Sequence, residues 1–264
     1  MLNRIKEFIK NHNFLASATK LVGTALFLGT LFYVGANAPQ WHMHFIEHKV
    51  GRVVVKVVRD DSATSGGTGF HVKAKSGKSY ILTNAHVCGV SADGKEALIQ
   101  IPGTDRFIMR RIIEVYKKHD LCLIEGVIGY EGIEIADSVE PGSDLRVVGH
   151  PVLRPLRAAL GTFLQESKIT IMIGIVGANL KDEADCKAQQ GYTKEVMDLF
   201  GPVTICLQDF QAMETTAVIY GGNSGSPAVN FFAKLVGVVF ASDNRMNQGF
   251  LVPLRFVTDF LSIY

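Results

Sequence analysis

The chain has 264 residues, of which 47% are hydrophobic and 20% charged, a balance typical of a globular protein with a buried core. Its 26 glycines and eight prolines favour a turn-rich β protein over a disordered chain. The formal charge is +2, and Lys and Arg are scattered after residue 60, so no nucleic-acid partner is predicted.

The first element in chain order is an uncharged segment, LVGTALFLGTLFYVGANA, at residues 21–38. Eighteen such residues are near the minimum that can cross a bilayer. Four basic residues precede the segment: Arg4, Lys6, Lys10 and Lys20. The positive-inside rule then places residues 1–20 in the cytoplasm. We predict a transmembrane signal anchor over 21–38, followed by a juxtamembrane linker over 39–49.

A cleaved signal peptide is the alternative for the same segment. Ala36 and Ala38 are small enough for a cleavage site, but Pro39 disfavours cleavage directly before it. Both interpretations place the rest of the chain on the periplasmic or extracellular side of a membrane.

Export makes the cysteines informative, because oxidising compartments permit disulfides. Four cysteines allow three pairings. Cys186 and Cys206 flank one polar segment and are candidates for a bridge across it. Cys88 and Cys122 fit a bridge and small buried core residues equally well.

From Val50 onward the chain is a series of short apolar runs separated by Gly, Asp, Ser and Asn. Examples are VGRVVVKVVR at 50–59, SYILTNA at 79–85 and KLVGVVFAS at 234–242. Runs of this length and spacing predict an antiparallel sandwich or barrel. Helical spacing of apolar residues in PLRFVTDFLSIY predicts a C-terminal helix within 253–264. The polar segment 178–202 is expected to be a loop with a short helix.

Three short sequences carry side chains with complementary chemistry. They are YILTNAHV at 80–87, containing His86, HDLCLI at 119–124, containing Asp120, and GGNSGSP at 221–227, containing Ser224. A serine hydroxyl is a weak nucleophile and needs an imidazole to take its proton. A buried carboxylate fixes the tautomer of that imidazole and stabilises its charged form. The glycines around Ser224 let backbone N–H groups of Gly222 and Ser224 point at one oxyanion.

The order of these residues separates the hydrolase classes. His86 precedes Asp120 by 34 residues, and Asp120 precedes Ser224 by 104. His, Asp, Ser is the order of the trypsin-like fold. An α/β-hydrolase requires its histidine after the nucleophile, and residues 225–264 contain none. A subtilisin would need alternating helices and parallel strands, which the pattern does not predict.

The sequence resembles the trypsin-like serine proteases, most closely the Deg/HtrA-type branch, without a PDZ domain. The resemblance rests on motifs in the family's order: GGTGF (66–70), YILTNAHV (80–87), HDLCLI (119–124), GHP (149–151), GGNSGSP (221–227) and GFLVPL (249–254). It implies an all-β fold of two six-stranded antiparallel β-barrels, at 50–140 and 141–264, with the site in the cleft between them. Ser226 departs from the family, which usually has glycine there.

The resemblance also implies roles for individual residues. Gly222, Asn223 and Ser224 would form the oxyanion hole. The substrate pocket would be lined by six residues: Val218, Ile219, Tyr220, Phe240, Ala241 and Ser242. None is acidic, so a small or medium apolar residue is expected before the cut bond rather than Arg or Lys. Extended protein or peptide substrates would pair with the strand at 240–242, and no cofactor is required.

Two other functions remain as alternatives. The domain could be a catalytically inert trypsin-like scaffold that binds extended peptides without cleaving them. A zinc site is the second, because His42, His44 and His48 cluster near Glu47. Polar residues beside a membrane are commonly interfacial, so no metal is predicted.

Overall fold

The computed structural model describes residues 40–58, 66–89, 94–199, 201–243 and 246–264. The chain divides into two compact units, Met1–Phe45 and Ile46–Tyr264. The predicted membrane segment, 21–38, lies outside the described residues. Among the residues that are described, no helix is both long and apolar enough to cross a bilayer.

The first half of the Ile46–Tyr264 unit is a closed, six-stranded antiparallel barrel, as predicted. Its strands are β1 (Val54–Val58), β2 (Gly66–Lys73), β3 (Ser79–Thr83), β4 (Glu96–Gln100), β5 (Phe107–Tyr116) and β6 (Leu121–Glu125). They follow the order β1-β2-β3-β6-β5-β4, and β1 closes the ring by pairing with β4. The β-branched and aliphatic residues of these runs fit a pleated, half-buried surface.

The second half is a seven-stranded sheet, where the sequence predicted a six-stranded barrel. Its strands are β7 (Asp144–Gly149), β8 (Arg157–Ile175), β9 (Tyr192–Asp198), β10 (Gly201–Thr215), β11 (Pro227–Val229), β12 (Leu235–Asp243) and β13 (Gln248–Pro253). The order is β13-β12-β11-β7-β8-β10-β9, and β13 also pairs with β10. The two-barrel prediction is thus confirmed for one barrel.

The additional strand comes from the polar segment that was expected to be a loop. The short helix in it is α3 (Glu183–Ala188), with the Asp182 side chain accepting from the Asp185 N–H at its start. β9 follows and pairs with β10 from Tyr192↔Leu207 to Asp198↔Gly201. A disulfide joins Cys186 of α3 to Cys206 of β10.

Three other helices complete the described fold. Residues 40–51 are helical (α1), and Ile46 and Val50, one turn apart, are buried in the main core. A four-residue helix, α2 (Ala85–Cys88), follows β3. The C-terminal helix, α4 (Leu254–Leu261), confirms the sequence prediction. Its apolar side, Leu254, Val257, Phe260 and Leu261, is buried.

Candidate active site

His86 and Asp120 lie on neighbouring elements at one end of the first barrel. β3 ends at Thr83, and His86 lies in α2 directly after it. Asp120 follows a 3-10 turn, Lys117–His119, and adopts the left-handed conformation (φ 52°, ψ 46°), which aspartate tolerates better than most residues. The side-chain amide of Asn84 donates to the Asp120 carbonyl at 2.9 Å. This bond holds the aspartate backbone against the start of α2.

Two hydrogen bonds join the histidine to the aspartate. The His86 backbone N–H donates to Asp120 Oδ1 at 2.9 Å, and His86 Nδ1 lies 2.7 Å from Asp120 Oδ2. Because a carboxylate only accepts, Nδ1 must carry the proton. The other ring nitrogen, Nε2, is then an acceptor. The His86 side chain is 46% exposed and that of Asp120 only 10%, so a partly exposed histidine is bound by a nearly buried carboxylate.

The environment of His86 changes its basicity. Removal from water lowers the pKa of an imidazole, but the charge of Asp120 and its hydrogen bond raise it. Burial is the largest single effect, but the charge and the hydrogen bond of Asp120 together outweigh it, so the pKa of His86 lies above its ordinary value of 6.5. Asp120 therefore stabilises the imidazolium form, as a general base requires once it has accepted a proton.

A disulfide joins the two elements that carry this pair. Cys88 in α2 is bonded to Cys122 in β6, with Cα atoms 6.5 Å apart. Each cysteine lies two residues after a member of the pair, His86 and Asp120. The sequence left a bridge and buried thiols equally open here, and the structure has the bridge.

Ser224 lies in a turn between β10 and β11, and the carbonyl groups of residues 221–224 each accept a hydrogen bond. Gly221 O accepts from the Val152 N–H, and Gly222 O accepts from the Thr68 hydroxyl at 2.8 Å. Asn223 O accepts from the Ser226 N–H at 2.9 Å, and Ser224 O from the Thr68 N–H at 2.8 Å. Gly222 has φ 85°, a value that glycine adopts without strain. The backbone of the turn is thereby held in one conformation.

The donors of the same turn fall into two groups. The Asn223 N–H donates to Tyr220 O at 3.1 Å, and the Gly225 N–H to Val239 O at 2.8 Å. In the part of the chain that the structure describes, the N–H groups of Gly222 and Ser224 have no acceptor. Asn223, predicted with them, has its N–H engaged within the turn.

Gly67 lies between Ser224 and Val87, the residue that follows His86. A Cβ placed on Gly67 would lie 2.7 Å from Ser224 O and 2.7 Å from a methyl group of Val87, the residue after His86. A side chain at residue 67 would therefore push the two apart. No hydrogen bond joins the Ser224 hydroxyl to the His86 ring among the described contacts.

The residues predicted to line the substrate pocket have different environments. Ile219 is buried and Val218 and Tyr220 are exposed. A Cβ on Gly249 would meet the side chain of Ile219, so this isoleucine packs against the Gly249 backbone. Phe240 is buried and lies 5.3 Å from Phe210, ring centre to ring centre. Ala241 is half-buried and Ser242 is exposed.

Two cavities differ in their relation to this region. One, of about 290 Å³, borders His86 and Asp120, and its other walls include Ile171, Met172, Phe210 and Phe240. A larger cavity, of about 800 Å³, is lined in part by residues of 47–53 and 129–134 and by none of the residues predicted for the peptidase site. The smaller cavity is the candidate for substrate binding, because it adjoins His86 and Asp120.

The zinc alternative finds no support in the described residues. No group of three or more His, Cys, Asp or Glu side chains within them is arranged to hold a metal. His48 Nε2 instead lies 2.9 Å from the Arg52 guanidinium.

Comparison with known proteins identifies the family. The model of the trypsin-like peptidase domain matches residues 67–238, which is well over half of the chain. The chain belongs to this family. The match spans β2 to β12 and includes His86, Asp120 and Ser224.

Two relatives of this trypsin-like peptidase chain are serine proteases. The serine protease Do-like HtrA of Bacillus subtilis is 23% identical over 204 residues, covering 74% of this chain and 38% of that protein. The pro-apoptotic serine protease NMA111 of Eremothecium gossypii is 24% identical over 239 residues, covering 83% of this chain and 20% of that protein. The resemblance inferred from the motifs is confirmed. The chain spans well under half the length of either relative.

Solved structures of peptidases share the fold. The active form of the Rv3671c protease from M. tuberculosis has a TM-score of 0.58 at 19% identity, covering 82% of each chain. The serine endoprotease from Yersinia pestis has a TM-score of 0.56 at 18% identity, covering 83% of this chain and 65% of that one. At these identities the likeness concerns the fold.

Sequence reasoning did not find two residues that hold this trypsin-like site together, Asn84 and Thr68. Asn84 was visible only as the residue before Ala-His in the TNAH motif. Thr68 was visible only as the centre of GGTGF, and no local pattern indicates that its hydroxyl reaches Gly222, 154 residues away.

Proposed function

We propose that the protein is a serine endopeptidase in which Ser224 is the nucleophile, His86 the general base and Asp120 the group that orients His86. The main support for this proposal is the His86–Asp120 pair, which is joined by two hydrogen bonds. It leaves His86 Nε2 as an acceptor, and the Gly67 contacts bring Ser224 to the same end of the barrel. Catalytic hydrogen bonds are often longer without substrate, so the missing bond to Ser224 is compatible with this role.

The chemistry proceeds in two halves. Ser224 Oγ attacks the peptide carbonyl carbon while its proton passes to His86 Nε2, giving a tetrahedral oxyanion. The imidazolium, stabilised by Asp120, then gives that proton to the leaving amine, and the C–N bond breaks to leave an acyl-enzyme. In the second half, water loses a proton to His86, attacks the ester and releases the acid, and the proton returns to Ser224.

The free N–H groups of Gly222 and Ser224 would bind the oxyanion. Neither N–H group has an acceptor among the described residues, so both are available to a substrate. Donors fixed before the reaction stabilise charge without reorganisation, and losing one typically costs about 10²–10³-fold in rate.

An extended substrate would pair with β12. Residues Ala241 and Ser242 pair with β13 on one side, whereas β11 pairs with β12 only as far as Val238. The other edge of β12 at 240–242 has no strand partner in the described part of the chain. An exposed strand edge is what β-augmentation by a substrate requires. Ile219 is buried against Gly249 and would give the predicted substrate pocket an apolar wall. We expect cleavage after small or medium apolar residues, and peptide-library profiling that finds basic residues preferred would reject this specificity.

We further propose that residues 21–38 anchor the protein in a membrane with the peptidase domain on the periplasmic or extracellular side. The uncharged segment behind four basic residues supports this topology. The two disulfides support export, because such bonds persist in oxidising compartments.

The direct test of the peptidase proposal is hydrolysis of an unfolded protein substrate by the wild type and by Ser224→Ala. The wild type should cleave it, and Ser224→Ala should lose activity while keeping its melting temperature. Binding of extended peptides without cleavage by either protein would favour the inert scaffold instead.

A further inference from the structure

The hydroxyl of Thr68 lies between the Ser224 turn and the loop that follows β7. Thr68 is fully buried, at 0% exposure. Its Oγ1 donates to the Gly222 carbonyl at 2.8 Å and accepts from the His150 N–H at 3.0 Å. Its backbone N–H donates to Ser224 O at 2.8 Å. One residue of the first barrel thus bonds to two peptide groups of the turn.

Thr68 bonds to the Gly222–Asn223 and Ser224–Gly225 peptides, which lie on either side of the peptide that carries the Ser224 N–H group. The first of them also directly follows the peptide that carries the Gly222 N–H group, so Thr68 acts on both N–H groups through the adjoining peptides. In a trans peptide, the carbonyl and the following N–H point in opposite directions. The Gly222 carbonyl faces Thr68, which directs the Asn223 N–H to Tyr220 O. The Gly221 carbonyl faces Val152, which directs the Gly222 N–H away from that loop.

Such external bonds are needed because the turn is intrinsically free to rotate. Gly222 has no Cβ, and positive and negative φ values are equally accessible to it. Rotation about Gly222 would turn its N–H away from the position of the oxyanion. Breaking the bond to Thr68 also leaves the Gly222 carbonyl without its donor, at a cost comparable to a lost hydrogen bond.

We propose that Thr68 Oγ1 is a positioning group that keeps the N–H groups of Gly222 and Ser224 directed at the oxyanion. The inference rests on the proposed peptidase function. Thr68 acts through the turn and touches no substrate, so its hydroxyl affects the transition state more than substrate binding.

The test compares Thr68→Val, which keeps the shape but lacks the hydroxyl, with Thr68→Ser, which keeps the hydroxyl. For Thr68→Val we expect kcat to fall about 10- to 100-fold with KM changed less than about twofold. A peptide aldehyde, whose adduct with Ser224 carries the oxyanion, should bind more weakly by the same factor as kcat falls. Thr68→Ser should restore most of kcat. Thr68→Ala carries the same expectation as Thr68→Val and replaces it if the valine variant does not fold.

The matched control is Thr83→Val. Thr83 is equally buried, and its hydroxyl donates to the Thr68 carbonyl at 2.6 Å rather than to the turn. It should lower the melting temperature as much as Thr68→Val does but reduce kcat less. Equal loss of kcat in both variants, or unchanged kcat in Thr68→Val, would overturn the role of Thr68. Failure of the peptidase proposal is distinguishable, because the wild type itself would then not cleave.

Discussion

His86 has one ring nitrogen bound to Asp120 and the other open to solvent, and this asymmetry determines its chemistry. Nδ1 is 2.7 Å from Asp120 Oδ2, and the carboxylate is nearly buried. A base must be neutral to accept a proton, so it acts only above its own pKa. Asp120 raises that pKa above 6.5, and in the proposed mechanism this would set the lower pH limit of the reaction.

The pH profile of kcat/KM tests this role. Activity should rise with pH through an apparent pKa above 6.5 and then level off. Asp120→Asn should move this acid limb to lower pH, because the charge that raises the pKa of His86 is gone. It should also reduce kcat by about 10⁴-fold, because the neutral amide no longer selects the right tautomer. Glu125→Gln, which removes an exposed carboxyl from the far end of β6, the strand that follows Asp120, should keep the wild-type limb. An unshifted limb in Asp120→Asn would contradict the assignment.

Each of the two disulfides joins a helix to a strand, and the two bridges join different elements. Cys88–Cys122 links α2, which contains His86, to β6, which begins directly after Asp120. Cys186–Cys206 links α3 to β10. The closed loops span 34 and 20 residues. Chain entropy then assigns roughly 4 and 3 kcal/mol of stabilisation to the two bridges.

Replacing each pair by serines separates stability from activity. Cys88→Ser/Cys122→Ser should lose about 4 kcal/mol of unfolding free energy and also lower kcat, because α2 can move relative to β6. Cys186→Ser/Cys206→Ser should lose about 3 kcal/mol with a smaller effect on kcat. Urea denaturation measures the change in unfolding free energy, and kcat under native conditions measures the change in activity. Equal kcat in both double variants would count against a positioning role for the Cys88–Cys122 bridge.

The elements also show what the sequence can predict. Short apolar runs predicted an antiparallel β fold, and helical spacing predicted α4, because burial of one face leaves a periodic pattern. The six-stranded barrel followed from the family resemblance. β9 has no such pattern: Tyr192–Asp198 is largely exposed and forms a strand through pairing with β10. The motifs located His86, Asp120 and Ser224, but the left-handed backbone of Asp120 and the contacts of Thr68 depend on tertiary structure.

At the scale of the whole molecule, buried histidines couple folding to pH. His71 is fully buried in β2, lies 3.2 Å from the Ser79 hydroxyl and stacks on Tyr130. Burial lowers the pKa of His71 to about 4, and partial burial together with the charges of Lys118 and Arg255 lowers the pKa of the half-buried His119 to about 4. The unfolded chain, with pKa near 6.5, binds these protons more readily. Stability is therefore complete above pH 6.5 and falls as the pH drops toward 4.

The size of this effect is measurable for His71. Its shift corresponds to about 3 kcal/mol of unfolding free energy lost between pH 6.5 and 4. His86 acts in the opposite direction, because its raised pKa stabilises the fold at low pH and loses that effect as pH rises through the raised value. Denaturation at a series of pH values should show the decline in the wild type and a weaker one in His71→Gln. An equal slope in both proteins would show that His71 is protonated in the fold.

Activation of the Ser224 hydroxyl by His86 can be measured by covalent labelling. After treatment with a fluorophosphonate probe, peptide mass spectrometry should find the adduct on Ser224. The adduct should form far more slowly in a folded His86→Ala variant and be absent in Ser224→Ala. Labelling at another serine, or equal labelling rates with and without the His86 imidazole, would contradict the account.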